Sequence, residues 1–218
     1  MPITRGFSKE MSDPRKQIDG KCFRDVNFAF KFMASMQKTA EQFDRVIARC
    51  KDIFIKKNRD YGTSWRILRS SSITDQLYIK ATRIRGIETS GTHLVDEGIE
   101  PEFIGIVNYA IMGLIQLQLN ESAPIELPLD ETERLYDTTI ATVKDLMLKK
   151  NHDYGEAWRN MRISSFTDMI LMRLMRIRQI EDHQGQTLVS EGIDANYMDM
   201  INYAVFALIQ MMEEAEAR

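Results

Sequence analysis

An all-α fold is predicted, with two tandem three-helix repeats packed on each other as an internal pseudo-dimer helical bundle. Three observations predict it. The stretch KKNRDYGTSWRILR at residues 56–69 returns as KKNHDYGEAWRNMR at residues 149–162, and Phe43–Glu88 aligns without a gap onto Tyr136–Glu181 at an offset of 93, with about half the residues identical. After one inserted residue the offset becomes 94, so Asn108-Tyr-Ala falls on Asn202-Tyr-Ala. Apolar residues recur at helical spacing and nowhere alternate convincingly at period two. A period of this length exceeds the roughly 20–50 residues of solenoid units. A dimer of two-fold symmetry fused into one chain accounts for it.

The predicted organisation is an N-terminal arm (1–36), a first repeat (37–120), a linker (121–130) and a second repeat (131–218). Residues 1–22 are polar and have no copy in the second half. They read as a tail or a docking arm. The first helix is predicted from about Gln37 to Arg59, where Phe43, Val46, Ile47, Cys50, Ile53 and Phe54 form a buried stripe. The second copy places Tyr136, Thr139, Ile140, Val143, Leu146 and Met147 at the same positions. Cys50 thus stands where Val143 does and reads as a small core residue.

Gly62 and Gly155 suit the positive φ that follows a last helical turn. Ser72-Ile-Thr-Asp75 and Ser165-Phe-Thr-Asp168 match a capping box, which gives Asp75 and Asp168 a structural role and starts the second helices at about Ile73 and Phe166. The third helices, about Pro101–Leu119 and Ala195–Glu214, are apolar on nearly every side and so predicted central. Pro101 suits a first helical position, and Asp194 a cap. Pro124, Pro128 and a capping box at Asp130–Glu133 mark the linker.

Composition narrows the class. At 218 residues, 44% apolar and 28% charged, the chain can bury a large core. A net charge of −3 gives no strong nucleic-acid signal. Two cysteines without motif spacing fit a reducing compartment. No apolar run reaches membrane-spanning length, and the first residues lack a signal-peptide core. A cytoplasmic, non-membrane protein is expected, with homo-oligomerisation left open.

Candidate chemistry gathers around the repeated element. Lys56, Lys57, Arg66, Arg69 and Arg83, with Lys149, Lys150, Arg159, Arg162 and Arg176, are a repeated cationic set suited to phosphate. Asn58, Tyr61, Asn151 and Tyr154 belong to the same element. Trp65 and Trp158 are candidate stacking residues, although core anchors are favoured. Asn108 and Asn202 lie inside apolar helices, where an unpaired amide costs about 1–3 kcal/mol. Each is expected to bond a carboxylate, the tyrosine of Asp-Tyr-Gly, or a ligand. Magnesium would need clustered carboxylates, for which Asp60, Asp153, Glu181, Glu191 and Asp199 are the candidates. Asp199 aligns with Gly105, so the second repeat is expected to be the better equipped.

The combination of K-K-N-x-D-Y-G-x-x-W, a helix ending in R-I and a third helix with D-x-x-N-Y-A resembles the nucleotide modification associated domain family, type 1. The resemblance covers 43–118 and 136–212 and implies a role in modified-nucleotide metabolism. More distantly, the layout is similar to the all-α nucleoside triphosphate pyrophosphatases, the MazG and dimeric dUTPase group. Their E-x-x-E and E-x-x-D pairs are not kept here: the third helices offer Asn196-x-x-Asp199 and Glu102-x-x-Gly105. Two functions are therefore carried forward. One is a protein that binds a nucleotide or other phosphorylated small molecule, extended to magnesium-dependent phosphohydrolysis. The other is a non-catalytic helical module that binds a nucleotide or a protein.

Overall fold

The computed structural model describes residues 19–91, 98–119, 123–187 and 191–218, with side chains from residue 31 onward. Glu97, the counterpart of the magnesium candidate Glu191 at the offset of 94, lies outside the described residues. Six α-helices and no strand occur among the described residues: α1 (Asp19–Tyr61), α2 (Ser70–Ser90), α3 (Glu100–Gln118), α4 (Leu129–Tyr154), α5 (Ile163–Asp182) and α6 (Ile193–Glu216). Short 3₁₀ turns, Ser64–Ile67 and Ala157–Asn160, follow α1 and α4. The order is helix, 3₁₀ turn, helix, helix, twice.

Helices α2, α3, α5 and α6 form the centre, with α3 packed along α6 and α2 along α5, while α1 and α4 lie against each other and against the third helices. The all-round apolar character of α3 and α6 explains their place. Phe103, Ile106, Ile111 and Ile115 on α3, and Met200, Ile201, Val205 and Ile209 on α6, are fully buried. Burying each such side chain contributes about 1.5–3 kcal/mol. The α1 stripe packs as its spacing predicts, with Phe43, Val46, Ile47, Cys50 and Phe54 all buried. Burial pushes the Cys50 thiol up to about 12, that of a core residue rather than a nucleophile.

The halves grip each other reciprocally. Lys51 meets Asp137 at 2.7 Å, and its counterpart Lys144 meets Asp44 at 2.7 Å. Thr74 donates to Glu181 at 3.0 Å and Thr167 to Glu88 at 3.0 Å. Asp75 pairs with Arg178 at 2.8 Å, and Asp168 with Arg85 at 3.7 Å. Contacts in which i meets j′ and j meets i′ are what a two-fold axis produces.

Four expectations are corrected. Helix α1 begins at Asp19, not near Gln37, so the last part of the expected arm is helical and continuous with the first repeat. The capping boxes at Ser72 and Ser165 do not form. Arg69 and Arg162 sit in extended backbone and start α2 and α5 earlier, with the Arg69 carbonyl accepting from the amides of Ser72 and Ile73. Asp75 and Asp168 are instead halves of the ion pairs just described. The box at Asp130 is likewise displaced, because Pro128 precedes the first turn. Gly192, not Asp194, occupies the cap of α6. Gly62 and Gly155 do end their helices, each at φ 59°.

Candidate functional site

Each 3₁₀ turn is tied down by a glutamine from its own third helix. Gln116 donates to the carbonyls of Arg66 and Leu68 at 3.0 and 3.1 Å. Gln210 donates to those of Trp158 and Met161 at 3.2 and 3.0 Å. These two residues escaped the sequence reading, although their offset of 94 marks them as a repeated pair. The arginine of each turn then reaches the chain entering the other repeat. Arg66 bonds the Gln116 side chain and the Ala123 carbonyl. Arg159 bonds Thr39 at 2.5 Å, Gln42 at 2.8 Å and Glu156 at 3.0 Å. Both are structural clasps.

Glu156 is a further unforeseen residue. It occupies the left-handed region at φ 59° and is buried, accepting from Ser35, Thr39 at 2.5 Å and Asn151 at 3.0 Å. Burial pushes its carboxyl up, but the bonds from Ser35, Thr39, Arg159 and Asn151 outweigh that and leave it below the usual range. The stretch of α1 that carries Ser35 and Thr39 therefore packs on the residue that follows the second Asp-Tyr-Gly.

Behind that element lies a cavity of about 330 Å³ between α4, α5 and α6. Lys150, Arg173, Asp199 and Asn202 give it polar groups; Tyr154, Trp158, Tyr203 and Phe206 give it aromatic walls; Met147, Met161 and Met169 also line it. Asp199 is 3% exposed. Its Oδ1 takes a hydrogen bond from Lys150 Nζ at 2.5 Å, and its Oδ2 lies 2.6 Å from Arg173 Nη2. Both carboxylate oxygens thus meet a cation. Arg173 Nε and Asn202 Oδ1 are buried without hydrogen-bond partners. Two such atoms on residues that line one cavity are unusual, since nearly all buried polar groups are paired.

The first repeat closes the same place. Gly105 stands where Asp199 does, and the stem of Lys80, the counterpart of Arg173, lies so close that a Cβ at Gly105 would meet its Cε at 2.7 Å. Lys80 and Arg83 pair with Glu102 at 3.2 and 2.6 Å. Asn108 is satisfied: its amide donates to the Cys50 carbonyl at 3.0 Å, and Tyr136 Oη donates to its Oδ1 at 3.1 Å. The partner of Asn108 is thus the buried Tyr136, not a tyrosine of Asp-Tyr-Gly. Tyr61 and Tyr154 are 70% and 73% exposed. The counterpart of Tyr136 is Phe43, which carries no hydroxyl, and this accounts for the orphaned oxygen of Asn202.

The remaining candidates scatter. Lys56 and Lys149 are exposed and pair one turn back, with Asp52 and Asp145, each at 2.6 Å. Lys57, Arg69, Arg162 and Arg176 are exposed; Arg69 borders a separate cavity beside Arg66. Trp65 and Trp158 are buried, as core anchors are. Trp158 donates to Asn151 at 3.1 Å, stacks on Phe206 at 4.3 Å and has the Arg159 guanidinium 4.4 Å from its ring centroid. Asn58 is buried beside its own turn. Asp60 and Asp153 are exposed at the ends of α1 and α4, Glu191 is exposed before α6, and Glu181 faces Ser70 and Thr74. Among the described residues, no three of His, Cys, Asp and Glu come together as a metal-holding group.

The family model described as nucleotide modification associated domain 1 matches residues 57–117 and 150–211, more than half of the chain and once in each repeat. No curated protein and no solved structure matches.

Proposed function

We propose that this chain, which belongs to the nucleotide modification associated domain 1 family, binds a nucleotide in the second-repeat cavity. The observation that carries this reading is one aromatic-walled space lined by Lys150, Arg173, Asp199 and Asn202, of which Arg173 and Asn202 each carry a buried polar atom without a hydrogen-bond partner. Small-molecule sites combine an apolar lining with a few convergent polar groups. A planar base suits the aromatic walls, and flexible methionines let those walls give. Lys150, whose side chain is 42% exposed, stands where a phosphate outside the cavity would meet it.

A resident magnesium fits less well. Asp199 is the one carboxylate in this lining, and two cations already oppose it. Magnesium is bound through carboxylates together with substrate phosphates and waters, so no hydrolytic step is assigned. The decisive experiment presents the purified chain with a nucleotide panel, with and without magnesium. Tryptophan fluorescence reads binding, while assays for phosphate and pyrophosphate read turnover. Saturable binding that weakens in Arg173→Ala is expected. Binding unaltered by Arg173→Ala would remove the cavity from the account, and released phosphate or pyrophosphate would make the protein a hydrolase.

A further inference from the structure

We infer that Glu156 is a positioning residue for the cavity: it fixes the Trp158 ring in the wall, and the stretch of α1 at Ser35 and Thr39 fixes Glu156 in turn. This rests on the nucleotide-binding reading above and names what controls affinity at that same site. Trp158 donates its indole N–H to Asn151 Oδ1 at 3.1 Å, and Asn151 donates Nδ2 to Glu156 Oε1 at 3.0 Å. Asn151 and Trp158 line the cavity, and Glu156 acts through them. It reaches the same ring by a second route. Glu156 Oε2 accepts from Arg159 Nε at 3.0 Å, and the Arg159 guanidinium lies 4.4 Å from the Trp158 centroid. Thr39 at 2.5 Å and Ser35 hold the carboxylate from α1.

An ionised carboxylate only accepts hydrogen bonds, whereas an amide side chain both donates and accepts. Glu156 therefore obliges Asn151 to turn its amine towards the carboxylate and its oxygen towards the indole. The first repeat has the same asparagine and tryptophan, Asn58 and Trp65, but not the acid. Thr63 stands in its place and bonds the chain before α4 instead, the Ile125 carbonyl at 2.7 Å and the Leu127 amide at 2.9 Å. There the indole nitrogen of Trp65 is buried without a hydrogen-bond partner. The backbone differs as well. Glu156 sits at φ 59° and Thr63 at φ −92°. Residues other than glycine seldom occupy the left-handed region, and such strain gathers at ligand sites.

The test takes Trp65→Phe as background, so that Trp158 is the only indole, and adenosine, guanosine, cytidine and uridine 5′-monophosphates as probes. Glu156→Gln brings an amine to a place that only accepted, which lets the Asn151 amide turn and deprives the indole N–H of its acceptor. This variant should keep a cooperative thermal transition, shift Trp158 emission to longer wavelength and weaken the tightest nucleotide about tenfold. Thr63→Val, at the matching place in the first repeat, should lower the melting temperature and move neither emission nor affinity. Unchanged emission and affinity in a folded Glu156→Gln would overturn the positioning role while leaving nucleotide binding intact. If Glu156→Gln does not fold, Thr39→Val keeps the carboxylate and removes one of the bonds that hold it. Shifted emission with weaker binding in that variant supports the role, and unchanged values overturn it. Binding of none of the four nucleotides by the background protein would overturn the nucleotide reading, and with it the control of affinity, leaving the emission of Trp158 to judge its positioning alone.

Discussion

On α6, Asp199 stands with Lys150 and Arg173 against it; on α3, Gly105 holds the same place with the stem of Lys80 laid across it. One turn further on, Asn202 has an oxygen without a donor, whereas Asn108 takes the hydroxyl of Tyr136. The frames around these residues agree closely. Both repeats end their first helix on a glycine at φ 59°, clamp a 3₁₀ turn with a glutamine and cross-link through reciprocal pairs. The difference is therefore local. At Gly105 and Asn108 one copy has its amide paired and its space filled, as stability favours. At Asp199 and Asn202 the other keeps an unpaired amide oxygen on a residue that lines a cavity, and structures tolerate such groups where function uses them.

The largest effect is expected from Asp199→Ala. Removing the carboxylate leaves Lys150 and Arg173 facing each other, and breaking such a buried set costs about 3 kcal/mol or more. Lys150 is partly in water, so the lower end applies. Gly105→Ala should cost less, because the flexible end of Lys80 can move aside. Urea denaturation of both variants checks the ranking, and an equal loss would break the comparison.

A pair of exchanges sharpens it. Tyr136→Phe should cost about 1–2 kcal/mol by orphaning Asn108 as Asn202 is orphaned. Phe43→Tyr should bring a hydroxyl to Asn202, raise the melting temperature and weaken nucleotide binding. A Phe43→Tyr variant that is destabilised would mean that the two-fold relation fails at this position.

Glu156 separates the repeats by pH, since Thr63 holds its place in the first. Its folded-state carboxyl is lowered, so its contribution is fully present above the unfolded carboxylate range, about 4.3, and is lost as pH falls through the lower folded value. Glu156→Gln should flatten stability against pH on the acid side, by roughly 1 kcal/mol. Unchanged acid sensitivity in the variant would assign that titration elsewhere.

The smallest effects should be the most equal. Lys51→Ala and Lys144→Ala remove mirror-image pairs whose aspartates are largely exposed, each worth a few tenths of a kcal/mol and screened by salt. Matching losses support the two-fold frame, and a clear inequality between them argues against it.

Much of this frame is written locally. Repeat offset, apolar stripes and glycine helix ends depend on neighbours in the chain, and all appear in the sequence. The capping boxes misled because Ser72-x-x-Asp75 is a local pattern, whereas Asp75 is spent on Arg178 across the interface. Arg173 lies outside the repeated cationic set because its counterpart is Lys80, not an arginine. The signal was joint: Lys80 goes with Gly105, and Arg173 with Asp199. Tyr136 was read as core, and its hydroxyl bond to Asn108 connects two helices that no spacing rule relates.

The central claim is that two repeats share one frame while only the second holds a ligand. Calorimetric stoichiometry tests it most directly, using the tightest-binding nucleotide of the panel on the wild type, Arg173→Ala and Lys80→Ala. One nucleotide per chain is predicted, with affinity lost in Arg173→Ala and kept in Lys80→Ala. Two equivalent sites per chain, or loss of binding in Lys80→Ala with retention in Arg173→Ala, would contradict it.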